Sequence, residues 1–94
     1  MKLHRAAALA LVGWYLMVPP PIDRYHNRLN APLSQWHVHS AWNSAGECDV
    51  ARKGIWEDAK KRNFDPRDSA FDASVKEGIK AAQCISSDDP RLAK

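Results

Sequence analysis

The chain has 94 residues, with 14 Lys and Arg against 11 Asp and Glu, a formal charge of +3. That length makes at most one domain. Lys2 and Arg5 supply two of the basic residues, so residues 22–94 hold 12 basic against 11 acidic side chains, interspersed, and no electrostatic footprint for nucleic acid is present.

The basic start Met1-Lys2-Leu3-His4-Arg5 leads into 13 uncharged, mostly apolar residues, 6–18, and then into Pro19-Pro20-Pro21. This order is that of a chain addressed to a membrane. It predicts an N-terminal apolar helix within residues 1–21, a signal or anchor segment that meets the membrane through residues 3–18. A bilayer core needs about 17–25 helical residues and a signal peptide's apolar region roughly 7–15, so length favours a signal. Cleavage chemistry favours an anchor, because residues 15–23 offer no pair of small residues at the positions a signal peptidase requires. No cysteine follows the run to serve lipoprotein processing. Trp14 and Tyr15 suit one membrane interface, and Lys2, His4 and Arg5 snorkel at the other. An uncleaved anchor with a cytoplasmic N-terminus is therefore expected over a cleaved signal.

Residues 22–32 read as a Pro-containing tether, in which residues 23–30 are polar with only Tyr25 and Leu29 as apolar interruptions. Residues 33–94 read as the folded domain. Over residues 35–42 the sequence alternates, with Trp36, Val38, Ser40 and Trp42 on one face of a strand and Gln35, His37, His39 and Ala41 on the other. The face with two tryptophans is the expected core face. Ser44 and Glu47 then have capping-box spacing. Cys48, Ala51, Ile55 and Ala59 recur at helical spacing. Asp49/Lys53, Glu57/Lys61 and Asp58/Arg62 are i,i+4 pairs with the acid first, and basic residues close the segment. These signals predict a helix over residues 45–62. After the Asp65-Pro66 turn, Ser69 and Asp72 offer a second capping box, and Phe71, Val75, Ile79 and Ala82 predict a helix over residues 70–82. Residues 83–86 are β-prone. The expected fold is α+β: a small strand-helix-helix-strand domain whose two strands pair and whose helices share one face.

Cys48 and Cys84 are the two cysteines, and in an exported chain they are expected to form a structural disulfide. His37-x-His39 places two imidazoles on one side of a strand, within reach of one metal ion, with His26 or Asp23 as a third ligand. Trp56 lies one step off the helix stripe and is the candidate partner contact. The serines sit in no nucleophile-elbow pattern and no glycine-rich phosphate loop exists, so neither an enzyme nor a cofactor is expected.

Gly13-Trp14-Tyr15-Leu16-Met17 with Pro19-Pro20, then Ala31-Pro32-Leu33-Ser34-Gln35-Trp36, Glu47-Cys48, and Ala82-Gln83-Cys84-Ile85-Ser86-Ser87-Asp88-Asp89-Pro90-Arg91-Leu92 together resemble a group of small uncharacterised bacterial proteins. These carry an apolar N-terminal leader and a cysteine pair. The resemblance spans most of the chain, with Trp42 as a departure where a smaller aromatic is expected. It implies a bacterial envelope location and no activity. The combined expectation is a non-enzymatic binding or structural module at the inner membrane, its C-terminal domain in the periplasm, or periplasmic or secreted if the leader is cleaved. The alternative is a periplasmic metal-binding module that uses His37 and His39.

Overall fold

The computed structural model describes residues 13–93. Its elements are strands β1 (Trp14–Val18), β2 (Pro21–Asp23), β3 (His26–Asn27) and β4 (His37–Trp42), helices α1 (Ala45–Lys61) and α2 (Ser69–Lys80), and strand β5 (Gln83–Ser86), with short 3-10 turns at Leu33–Gln35 and Pro90–Ala93. The fold is α+β, as expected.

The main sheet has the order β4-β1-β5 and is antiparallel throughout. The strands before and after the helices therefore do not pair with each other, because β1 lies between them. This corrects the sequence reading: Trp14–Val18 belongs to the sheet's centre and not to an apolar helix. The rest of that expected helix, residues 1–12, lies outside the described residues. Leu16 is 0% exposed and Met17 3%, on opposite faces of one strand. A strand buried on both faces reads as an unbroken apolar run, and periodicity cannot separate it from a buried helix.

Beneath Leu16 lie Cys48 and Ala82, ringed by Trp14, Val18, Trp42, Ala51, Ile55 and Cys84. Beneath Met17 lie Ala31, Leu33, Trp36 and Ile85, with Tyr15 and Leu92 against them. The layers are thus helix α1, the sheet, and a cover made by residues 31–36 and the C-terminal turn. Trp36 fixes that cover by donating its indole N–H to the Ala31 carbonyl at 2.9 Å.

Trp36 and Trp42 consequently sit on opposite faces of the sheet, contrary to the single core face expected. Leu16 pairs with Ser40 and Met17 with Val38, so His39 is an extra, unpaired residue. This β-bulge inverts the alternation along β4. Val38, opposite Met17 on this edge strand, is 53% exposed, where the sequence placed it in the core.

Helix α1 ends within one residue of expectation. The Glu47 N–H donates to Ser44 Oγ at 3.1 Å, and the Ser44 hydroxyl donates to Glu47 Oε1 at 3.2 Å. The carboxylate thus engages the hydroxyl of the cap and not its backbone. Asp49–Lys53 and Asp58–Arg62 pair as expected, while Glu57 takes Lys60 in place of Lys61. The expected Ser69/Asp72 box does not form. Asp68 is the cap of α2, accepting the Phe71 N–H at 3.1 Å, and the Asp72 carboxylate accepts the Phe64 N–H at 2.9 Å.

Residues 21–27, expected within an extended tether, form the β2–β3 hairpin, which is tied to α2. Asn27 Nδ2 donates to the Ser74 carbonyl and to Glu77 Oε1, both at 2.9 Å. Arg24 lies over the Phe71 ring at 4.1 Å and reaches Asp65 at 2.9 Å and Asp68 at 3.2 Å. The Tyr25 hydroxyl donates to Asp68 at 2.8 Å. Residues 13–32 thus contribute to one folded unit with residues 33–93.

Two predictions follow from this packing. Leu16→Ala removes a fully buried side chain from the central strand and is expected to cost about 2–5 kcal/mol in urea unfolding, while Val38→Ala, on the exposed edge, costs less than about 0.5 kcal/mol. Equal losses would contradict the central place of β1. The second concerns pH. The Tyr25 hydroxyl, then the Phe71 N–H and Arg24, hold Asp68 below the usual carboxylate range. The Arg91 side chain and N–H bring Asp89 down to about 2. Both groups are more acidic folded than unfolded, so their stabilisation is complete above about pH 4 and is lost as pH falls through the folded values. Thermal unfolding is expected to be flat from pH 7 to about 5 and to fall below about 4. In Asp68→Asn, Tm at pH 7 drops and the acid slope flattens.

Candidate functional site

The Cys48–Cys84 disulfide is formed, with Cα atoms 6.0 Å apart and a sequence separation of 36. Cys48 lies in the first turn of α1 and is fully buried, and Cys84 is the register partner of Leu16 on β5. The bridge joins the helix layer to an edge of the sheet beside the most buried side chain of β1. For a loop of this length the chain-entropy model gives about 4 kcal/mol, comparable to the whole stability of a small domain.

The C-terminal motif has a structural part in the same assembly. The Ser87 N–H donates to the Gly13 carbonyl at 2.8 Å, and the Gly13 N–H donates to Ser87 Oγ at 2.9 Å. Asp89 accepts the Arg91 N–H at 2.9 Å and pairs with its guanidinium at 2.8 Å. Leu92 then folds onto the Met17–Trp36 cluster. These residues lock the start of β1 in place. The adjacent carboxylates of Asp88 and Asp89 do not face a common substrate space, since Asp89 is held by Arg91 and Asp88 accepts the Ser86 hydroxyl.

The three expected metal ligands separate into two groups. His37 and His39 line one apolar groove of about 240 Å³ with Val18, Val75 and Ile79. His26 lies in the hairpin, where its Nδ1 meets Asp23 at 2.8 Å, so both candidate third ligands are engaged with each other. Among the described residues, no group of three or more His, Cys, Asp or Glu side chains is arranged to hold a metal ion. Two imidazoles leave half of a tetrahedral zinc shell to water. Calorimetry with zinc is accordingly expected to show no saturable heat in the micromolar range. Saturable heat that disappears in His37→Ala would establish the metal-binding alternative.

Trp56 is half-buried at the seam between α1 and α2. Lys60 Nζ and Lys80 Nζ each lie 5.8 Å from its ring, and the hollow around it is completed by Arg52, Lys53, Glu57 and Ile79. Its ring faces are thus engaged by cations from both helices. This offers a partner less bare apolar area than its place off the stripe suggests.

A further apolar surface feature lies elsewhere. Trp42, Gly46, Glu47, Val50 and Ala51 enclose an open hollow of about 500 Å³ at the N-terminal end of α1. Val50 is 72% exposed, above every other large hydrophobic side chain among the described residues. The Trp42 indole N–H donates to Ser40 Oγ at 2.8 Å, so its polar atom is satisfied within the domain and its ring contributes apolar surface. Trp42 also borders a second hollow with Gly13, Trp14 and Ser87, which places the patch beside the start of β1. Sequence reading passed over this site. Its one signal was Val50, an apolar residue on the side of the helix away from the Cys48–Ala59 stripe.

These features define a small disulfide-stapled α+β domain with shallow apolar hollows. Comparison with protein-family models, curated proteins and solved structures finds no match for the chain.

Proposed function

We propose that the protein is a non-enzymatic module of the bacterial cell envelope, exported, stapled by Cys48–Cys84 and held at the outer surface of the inner membrane by its N-terminal apolar segment. The disulfide carries this reading. A buried bridge on which a small core depends suits an oxidising compartment, since thiols are kept reduced in the cytosol. The resemblance to small leader-bearing bacterial proteins supports the same location.

The fold changes how the segment works in this proposal. With Trp14–Val18 committed to the sheet, the apolar run left for the membrane is residues 6–12. Seven residues fall well short of the number needed to span a bilayer core. Among the described residues, no helix is long and apolar enough to cross a membrane. Shallow insertion into the interface, with Lys2 and Arg5 among the headgroups, is the form of attachment that seven apolar residues allow.

Intact mass of protein prepared from cells without reductant, after alkylation, tests both parts. The expected species is the uncleaved 10.6 kDa chain carrying no alkyl groups until reductant is added. Two labelled cysteines would remove the exported location. A mass lacking residues 1–12 would remove attachment through the segment and leave export standing.

A further inference from the structure

We propose that the end of the domain formed by Trp42, Gly46, Val50 and Ala51 rests directly on a lipid bilayer, beside the point at which the apolar segment joins β1. This rests on the membrane-held reading above and names the domain's own contribution to it.

The position of the patch is the first argument. The described residues begin at Gly13, which Ser87 pins in place, and the next residue, Trp14, is the register partner of Trp42. A run of seven residues reaches about 10 Å even as a helix, which is interfacial depth and not a span. Gly13 then lies at headgroup level, and whatever surface flanks Gly13 lies there with it. Gly13 itself lines a smaller, more polar hollow with Trp14, Asn43, Ser87 and Trp42, and Trp42 is shared with the apolar Trp42–Val50 hollow next to it.

The chemistry of the patch is the second argument. The hollow is lined almost wholly by apolar atoms, and Val50 projects from it, mostly exposed. Tryptophan beside a small apolar surface suits the boundary between headgroups and acyl chains. Glu47, the one charged residue at the rim, is engaged by the Ser44 hydroxyl, at the end of α1 where a carboxylate is favoured, and it can stay at the aqueous edge. The third argument is energetic. A single short apolar insertion gives marginal, reversible attachment, and stable attachment takes a second contact. Here the second contact is part of the folded domain.

The test is flotation of the full, oxidised chain with vesicles of phosphatidylethanolamine and phosphatidylglycerol. Val50→Glu is expected to lower the vesicle partition coefficient roughly tenfold, and Val50→Leu to keep or raise it. Because Val50 is mostly exposed, circular dichroism of both variants should match the parent. If Val50→Glu floats as well as the parent, the segment alone does the binding and the docking face is overturned. A parent that dimerises without lipid, with the dimer lost in Val50→Glu, assigns the patch to a second copy and also overturns the proposal. The membrane-held reading itself is judged by the intact mass, so an uncleaved, oxidised chain whose Val50→Glu variant floats normally fails the docking face alone.

Discussion

Strand β1 is the element on which the other layers depend. Leu16 and Met17 are adjacent in sequence and both buried, one under α1 and the other under the 31–36 cover. Each flank of the strand is closed by a partner from a remote part of the chain, β4 on one side and β5 on the other. β1 has no local partner, since β2 and β3 pair only with each other. Its burial is therefore complete only when the whole chain has closed around it, an arrangement dominated by contacts of long sequence separation. The disulfide acts at the same place. Cys48 lies under Leu16 and Cys84 opposite it in the ladder, so the bridge fixes the helix above and the strand beside one side chain.

What was legible in the sequence divides along the range of the interactions involved. The α1 helix was readable because its signals are local: the Ser44 cap, the Cys48–Ala59 stripe and acid-first pairs such as Asp49–Lys53 all act within four residues. The Cys48–Cys84 bridge was readable because only two cysteines exist. β1 was not, because an apolar run buried on both faces carries no period to distinguish strand from helix, and a basic start before it supplied another explanation. The bulge at His39 was equally hidden. Nothing in His37-Val38-His39-Ser40 marks the extra residue, yet its presence put Trp36 and Trp42 on different faces. The hairpin was lost for a third reason. Its two short strands are held by side chains reaching to α2, Arg24 to Asp65 and Asp68 and Asn27 to Ser74, contacts no local pattern announces.

The candidate sites show the same division. His37 and His39 share a groove, as strand geometry suggested, while His26 and Asp23 meet each other in the hairpin. Trp56 was singled out for lying off its stripe; Lys60 over its ring is a local i+4 neighbour, but Lys80 comes from packing of α2 against α1, which the sequence of α1 alone does not contain. The closing motif Ser86-Ser87-Asp88-Asp89-Pro90-Arg91-Leu92 is a capped turn with a purpose in the fold: Ser87 holds Gly13, Asp89 holds Arg91, and Leu92 packs on the Met17–Trp36 cluster.

The boundary at Gly13 constrains any account of the N-terminus. A span or a cut placed at Pro19, as the apolar run first suggests, withdraws Leu16 and Met17 from their clusters and empties both ladders of the main sheet. Losing one such side chain already costs a few kcal/mol, on the order of a small domain's whole stability. The same five residues cannot serve as core and as bilayer insertion at once. If the domain is folded, the part of the chain left to meet a membrane stops at Val12, and its apolar portion is too short to act alone. Under the proposed membrane attachment, the apolar surface available to share that work is Val50 with Trp42, which also borders the hollow at Gly13.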